Sequence, residues 1–141
     1  MIVDACVGAK WFLEEEFKEK ADTLLERALQ REIKLIVPEF FYSELGSILW
    51  KGVRKKLIAV RCAQEILNRM MELPLKTYSD RELSDVAMDN AMIFGISVYD
   101  ALYLSLAEIY VAPLITADKA LFKACHKRFD FIEYLGDLEE K

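Results

Sequence analysis

Residues 1–12 read M-I-V-D-A-C-V-G-A-K-W-F, a short apolar run that meets an acid at Asp4 and then passes into a helical pattern. Ile2-Val3 is brief and β-branched, as a buried strand is. Asp4 therefore stands where a strand has just ended and a helix begins, a position that suits a carboxylate because the first amides of a helix lack partners. The unit recurs at residues 114–121, L-I-T-A-D-K-A-L, where Leu114-Ile115-Thr116 leads to Asp118.

Working outward, short β-branched runs alternate with helical patterns along the whole chain. The spacing predicts a helix from Ala5 that breaks near Glu14-Glu15-Glu16, then one over Lys18 to Arg31 with Ala21, Leu24, Leu25, Ala28 and Leu29 on one stripe. Leu35-Ile36-Val37 is the next strand. Pro38 presets φ for a helix over Phe40 to Lys51, and Gly52 stops it. A helix over Ile58 to Glu72 ends before Pro74, and Thr77 lies in a short strand. Ser79-Asp80-Arg81-Glu82 reads as a capping box for a helix that closes at Phe94-Gly95. Ser97 to Ala107 is helical, Ala112 to Thr116 a strand, Ala120 to Cys125 a helix and Phe129 to Leu135 a last strand. Strands separated by helices imply parallel crossovers, hence an α/β fold of three α/β/α layers around a central parallel sheet. No repeat, low-complexity segment or linker interrupts residues 1–141, so one domain is expected.

Composition excludes several classes. The 141 residues, 54% hydrophobic and 30% charged, suffice for a hydrophobic core without disulfides or a structural metal, and fit neither a disordered nor a fibrous chain. No apolar run approaches the ~18 residues that cross a bilayer, and the start lacks the basic region of a signal peptide, so a cytoplasmic protein with no membrane contact is expected. Cys6, Cys62 and Cys125 are odd in number and widely spaced, which indicates reduced thiols. The net charge of −5 argues against an overall basic coat for nucleic acid.

Ligands of open α/β sheets bind beyond the carboxyl ends of the strands, which is where Asp4 and Asp118 fall. Each is also a plain N-cap candidate. Asp100 opens an apolar helix, where it can complement the dipole or pair with Ser97. Glu44 is harder to place. Its helical neighbours are Phe40, Phe41, Ser47 and Ile48, so it borders the core stripe and calls for a cationic partner. Two carboxylates at ~5 Å and an effective dielectric of ~20 repel by roughly 3 kcal/mol. A hard cation, Mg²⁺ or Mn²⁺, offsets that repulsion and equips a site for phosphodiester hydrolysis.

Four segments carry a family resemblance: I-V-D-A-C-V-G-A-K-W-F (Ile2 to Phe12), P-E-F-F-Y-S-E-L-G-S-I-L (Pro38 to Leu49), V-Y-D-A-L-Y-L-S-L-A-E (Val98 to Glu108) and L-I-T-A-D-K-A-L (Leu114 to Leu121). In order and spacing they resemble the signature blocks of PIN-domain ribonucleases, especially VapC-type toxins of toxin–antitoxin pairs. The resemblance implies a PIN-like fold and an acidic, metal-binding and catalytic quartet of Asp4, Glu44, Asp100 and Asp118, with the Thr116 hydroxyl beside it. It also implies Mg²⁺- or Mn²⁺-dependent endonucleolytic cleavage of RNA and inhibition by a small cognate antitoxin. One position departs from the pattern: Cys6 stands where the family carries Ser or Thr, and a thiol is the weaker hydrogen-bonding group.

Other features have plainer readings. Lys51, Arg54, Lys55, Lys56 and Arg61 form a cationic stretch that either steers a phosphate backbone or solvates a turn. Lys10 and Lys119 follow two of the acids and can reach phosphate, but are read as ordinary exposed lysines. Asp85 and Asp89 belong to a solvated helix face. Phe40, Phe41, Tyr42, Trp50, Tyr99 and Tyr103 are core, interface or base-stacking candidates. The stripe Ala59, Cys62, Ala63, Ile66, Leu67, Met70, with Trp50, predicts a homodimer surface. A haloacid-dehalogenase-like phosphatase needs a second Asp at the position of Cys6, and a receiver domain needs paired acids after the first strand. The remaining alternative is a non-catalytic PIN-fold module that binds RNA or protein.

Overall fold

The computed structural model describes residues 1–139. Five strands, β1 (Ile2–Val3), β2 (Ile36–Pro38), β3 (Lys76–Tyr78), β4 (Leu114–Thr116) and β5 (Ile132–Tyr134), form one sheet in the order β3-β2-β1-β4-β5. Every pairing is parallel. The helices are α1 (Ala5–Lys10), α2 (Lys18–Leu29), α3 (Phe40–Arg54), α4 (Val60–Met71), α5 (Asp80–Phe94), α6 (Val98–Tyr110) and α7 (Lys119–Cys125). The result is the three-layer α/β arrangement that alternating strands and helices predict.

The three central strands are buried along their whole length, whereas β3 and β5, at the sheet edges, are partly exposed. That difference explains the sequence pattern, since strands covered on both faces read as continuous apolar runs. The core joins Ile2, Val3, Val37, Leu114 and Ile115 of the sheet to Phe41 and Leu45 of α3 and to Leu104 and Leu106 of α6. No single helix among the described residues is long and apolar enough to cross a membrane.

Several local expectations are corrected. Pro38 does not open a helix; it is the last residue of β2, opposite Tyr78. The start of α3 is fixed by Asp80, whose Oδ1 accepts from the Phe40 amide at 3.1 Å. Gly52 does not stop α3, which runs on to Arg54. Its role is steric, because a Cβ there would lie 2.5 Å from Ile58 Cδ1, where the chain folds back toward α4. Ser79 occupies the N-cap of α5 but its side chain bonds no amide, so the capping box does not form. Gly95 does close α5, at φ +65°. The α4 stripe is divided. Ile66 and Met70 are buried within the chain, so they cannot serve a dimer surface, while Trp50, Val60 and Met71 remain exposed.

Candidate active site

The strand order turns back at β1, and the crevice at such a switch point lies between β1 and β4. Register aligns Ile2 with Leu114 and Val3 with Ile115, so the next step sets Asp4 beside Thr116. The buried Thr116 hydroxyl donates to Asp4 Oδ2. Asp4 Oδ1 accepts from the Val7 amide at 3.0 Å. Thr116 Oγ1 also accepts from the Asp118 amide at 3.0 Å, and Asp118 Oδ1 accepts from the amides of Ala120 and Leu121 at 2.9 and 3.2 Å. Both acids are therefore N-caps, and the capping position is what delivers them to the crevice. Replacing Thr116 by Val leaves a buried carboxylate oxygen without its donor, so Thr116→Val should lose about 2 kcal/mol of stability by denaturant unfolding. An unchanged midpoint would show that this bond contributes nothing net.

Glu44 comes from α3 and is half-buried. Its expected cationic partner is absent among the described residues; Oε1 instead accepts from the hydroxyl of buried Tyr103 at 3.2 Å. Burial, and then the charges of Glu44 and Asp4, push the phenol well above its ordinary range, which keeps it a donor. From sequence, Tyr103 is only a core, interface or stacking candidate. Its spacing held a signal, because residues three apart on a helix share a face and Tyr103 follows Asp100 by three. One turn earlier on each helix, Phe40 and Tyr99 stack with ring centroids 4.8 Å apart. Asp100 lies in the first turn of α6, where Ser97 Oγ accepts its amide at 3.0 Å.

Electrostatics tie these groups together. Burial, against the bonds from Thr116 and Val7, raises Asp4 to about 6, and the charges of Asp118 and Asp100 add to the rise. Glu44 is pushed to about 7 by burial and then by Asp4 and Asp100. Burial also raises Asp100, with Ser97 opposing and Asp118 adding. The acids thus lie within one another's fields, and none forms an ion pair among the described residues. They do not form a closed cage. Among the described residues, no three His, Cys, Asp or Glu side chains are gathered closely enough to hold one ion between them.

The neighbours are sorted by the same geometry. Cys6 is half-buried, and burial followed by the charges of Asp4 and Glu44 pushes its thiol far up, so it is neutral and no nucleophile. Lys10 is not an exposed lysine; it is buried and paired with Glu15 at 3.1 Å. The cationic stretch from Lys51 starts seven residues beyond Glu44, about 10 Å along the helix, and leads away from the crevice. Asp85 and Asp89 are exposed, as expected.

Comparison with known proteins agrees with this architecture. The PIN domain family profile matches residues 1–127. Ribonuclease VapC3 of Pyrobaculum aerophilum is 32% identical over 123 residues, covering 86% of this chain and 91% of that protein. The crystal structure of PAE2754 from Pyrobaculum aerophilum superposes with a TM-score of 0.72 over 96% of this chain and 90% of that one; at 21% identity it speaks for the fold alone. With its parallel sheet, its four signature segments and these relatives, the chain belongs to the PIN-domain family and is of the VapC type.

Proposed function

We propose that the chain is a metal-dependent endoribonuclease, acting as one domain over residues 1–141 in the cytoplasm, and the toxin of a toxin–antitoxin pair. In this reading Asp4, Glu44, Asp100 and Asp118 bind Mg²⁺ or Mn²⁺ and carry catalysis. The observation that supports it best is a set of carboxylates at the switch point, buried at least in part and lying within one another's fields, none of which forms an ion pair among the described residues. An all-oxygen donor set suits a hard divalent ion, and Mg²⁺ keeps several waters and takes only one or two carboxylates directly, which fits acids that do not close on a single point.

A divalent ion bound there supplies Lewis acidity toward a phosphoryl oxygen and a more acidic water. The part played by the chain is positional. Thr116 and Val7 fix the two oxygens of Asp4, Tyr103 fixes Glu44, and the α7 amides fix Asp118. Cys6 lies within the field of Asp4 and Glu44 and offers only a weak donor.

The reading includes two protein partners, a small cognate antitoxin and a second copy of the chain. A groove of about 200 Å³ between α3 and α4, lined by Leu49, Trp50, Val53, Val60, Ala63 and Leu67, has the apolar character that an amphipathic segment needs. Light scattering of the purified chain should give twice the monomer mass; a monomer throughout the micromolar range would remove the second copy from the account.

A non-catalytic PIN-fold module that binds RNA or protein is the second reading, favoured by the weakly bonding Cys6 thiol where the family carries a hydroxyl. Incubating purified protein with total cellular RNA, with and without Mn²⁺, separates the two. Metal-dependent cleavage supports the enzyme, and RNA left intact at both conditions supports the module.

A further inference from the structure

An acidic crevice on a chain of net charge −5 repels a polyanion, so a strand of RNA needs cations close to the carboxylates. Those nearest Asp4 in sequence are already engaged. Lys10 pairs with Glu15, and Lys18 Nζ donates to the Lys10 and Trp11 carbonyls and to Asp22. The face of α7 is different. Lys119, Phe122, Lys123 and His126 follow the spacing i, i+3, i+4, i+7, which gathers them on one side. Lys119, Lys123 and His126 are exposed, and none is in an ion pair among the described residues.

This face is one wall of a groove of about 480 Å³ whose other side is formed by Phe17, Tyr134, Gly136 and Asp137. Its place in the fold follows from register. Tyr134 of β5 pairs with Thr116 of β4, one strand spacing of about 4.8 Å from the residue whose hydroxyl binds Asp4. The α7 wall itself begins at the Asp118 cap. The groove is thus tied to the crevice at two points, through Tyr134 beside Thr116 and through Lys119 next to Asp118. Phe122 stacks on His126 at 4.7 Å and 11°, Tyr134 lies 5.9 Å from Phe122 at a tilt of 42° and meets Phe17 edge-on, and Lys119 Nζ stands 5.8 Å over the Tyr134 ring. Asp137 is the one acid in the lining among the described residues.

We propose that this groove is a nucleotide-binding subsite for the single-stranded RNA next to the scissile phosphate, with Lys119 and Lys123 on phosphates and the Tyr134 and Phe122–His126 rings against a base. The inference rests on the ribonuclease reading and adds the path of the strand. Cationic grooves with aromatic platforms are how single strands are held without sequence readout. A duplex would keep its bases from the rings.

The test is the salt dependence of binding, read by anisotropy of a fluorescent single-stranded RNA of mixed sequence in an Asp100→Asn background. Each lost phosphate contact lowers the slope of log K against log salt by ~0.7, so Lys119→Gln with Lys123→Gln should lower it by ~1.4. The pair Lys55→Gln with Lys56→Gln, at the far end of α3, should leave it unmoved. Tyr134→Leu should weaken binding about tenfold, and Tyr134→Phe should restore it. An unchanged slope in the Lys119 and Lys123 variant, or an equal fall in the distal pair, would overturn the subsite. Wild-type affinity in Tyr134→Leu would remove the ring contact. Cleavage of RNA by the wild type is measured in parallel. Cleavage with an unmoved slope leaves the catalytic reading standing and sinks this one, and a lowered slope without cleavage does the converse.

Discussion

Asp100→Asn is expected to reduce Mn²⁺-dependent cleavage of RNA by at least about a hundredfold, the upper end of what losing even an outer-shell partner of a metal costs. The substitution keeps the size and the Ser97 contact to the backbone while removing one charge from the crevice. The N-terminal capping of α6 survives, since Ser97 Oγ still accepts the amide at position 100. A folded variant that cleaves at the wild-type rate would exclude Asp100 from the reaction. Asp118→Asn should lose a comparable factor, and because Asn is as good an N-cap as Asp it tests the carboxylate apart from its hold on α7.

The second large effect links metal to stability. Mn²⁺ or Mg²⁺ bound to the native chain and not to the unfolded one should raise stability by ~2.7 kcal/mol at a hundredfold excess over Kd. Without metal the sign is opposite and depends on pH. Asp4 is raised from 3.8 to about 6 and Glu44 from 4.5 to about 7, so between roughly pH 4 and 7 the folded state binds more protons than the unfolded one. Metal-free stability should therefore fall as pH rises through that window. The loss is on the order of 3 kcal/mol for fully buried Asp4 and smaller for Glu44, which water screens in part. Saturating metal should reverse the trend, because it favours the deprotonated ligands. Asp100→Asn and Asp118→Asn should each be more stable than wild type without metal and respond little to it. Calorimetry decides this, and a full metal response in both variants would leave Asp118 a helix cap and Asp100 a first-turn acid with no part in metal binding.

The fold was largely legible because its signals are local. Ile2-Val3 and Leu114-Ile115-Thr116 are short, buried and each followed by an acid and a helix, and that repetition is enough to imply a parallel sheet. Two of the corrected readings, Pro38 and Gly52, trace to contacts distant from the local pattern. Pro38 stays in β2 because α3 is started by Asp80 from another helix. Gly52 lies within α3, and its missing Cβ leaves room for Ile58 where the chain folds back.

Of the candidate site, the sequence offers residues and not bonds. The four acids could be picked out by placement and resemblance, but what holds them lies far away in sequence. Thr116 meets Asp4 across 112 residues, and Tyr103 meets Glu44 across 59. A lone carboxylate bordering a core calls for a cation beside Glu44. A neutral phenol fills the place because Tyr103 satisfies one oxygen while the rest of Glu44 still reaches solvent.

Anomalous X-ray scattering from crystals grown with Mn²⁺ tests the central claim most directly. The account predicts a manganese peak in the crevice between β1 and β4, bound through Asp4 or its acidic neighbours Glu44, Asp100 and Asp118, directly or through water. Manganese bound elsewhere, or none in the crevice of a protein that still cleaves RNA, would contradict it.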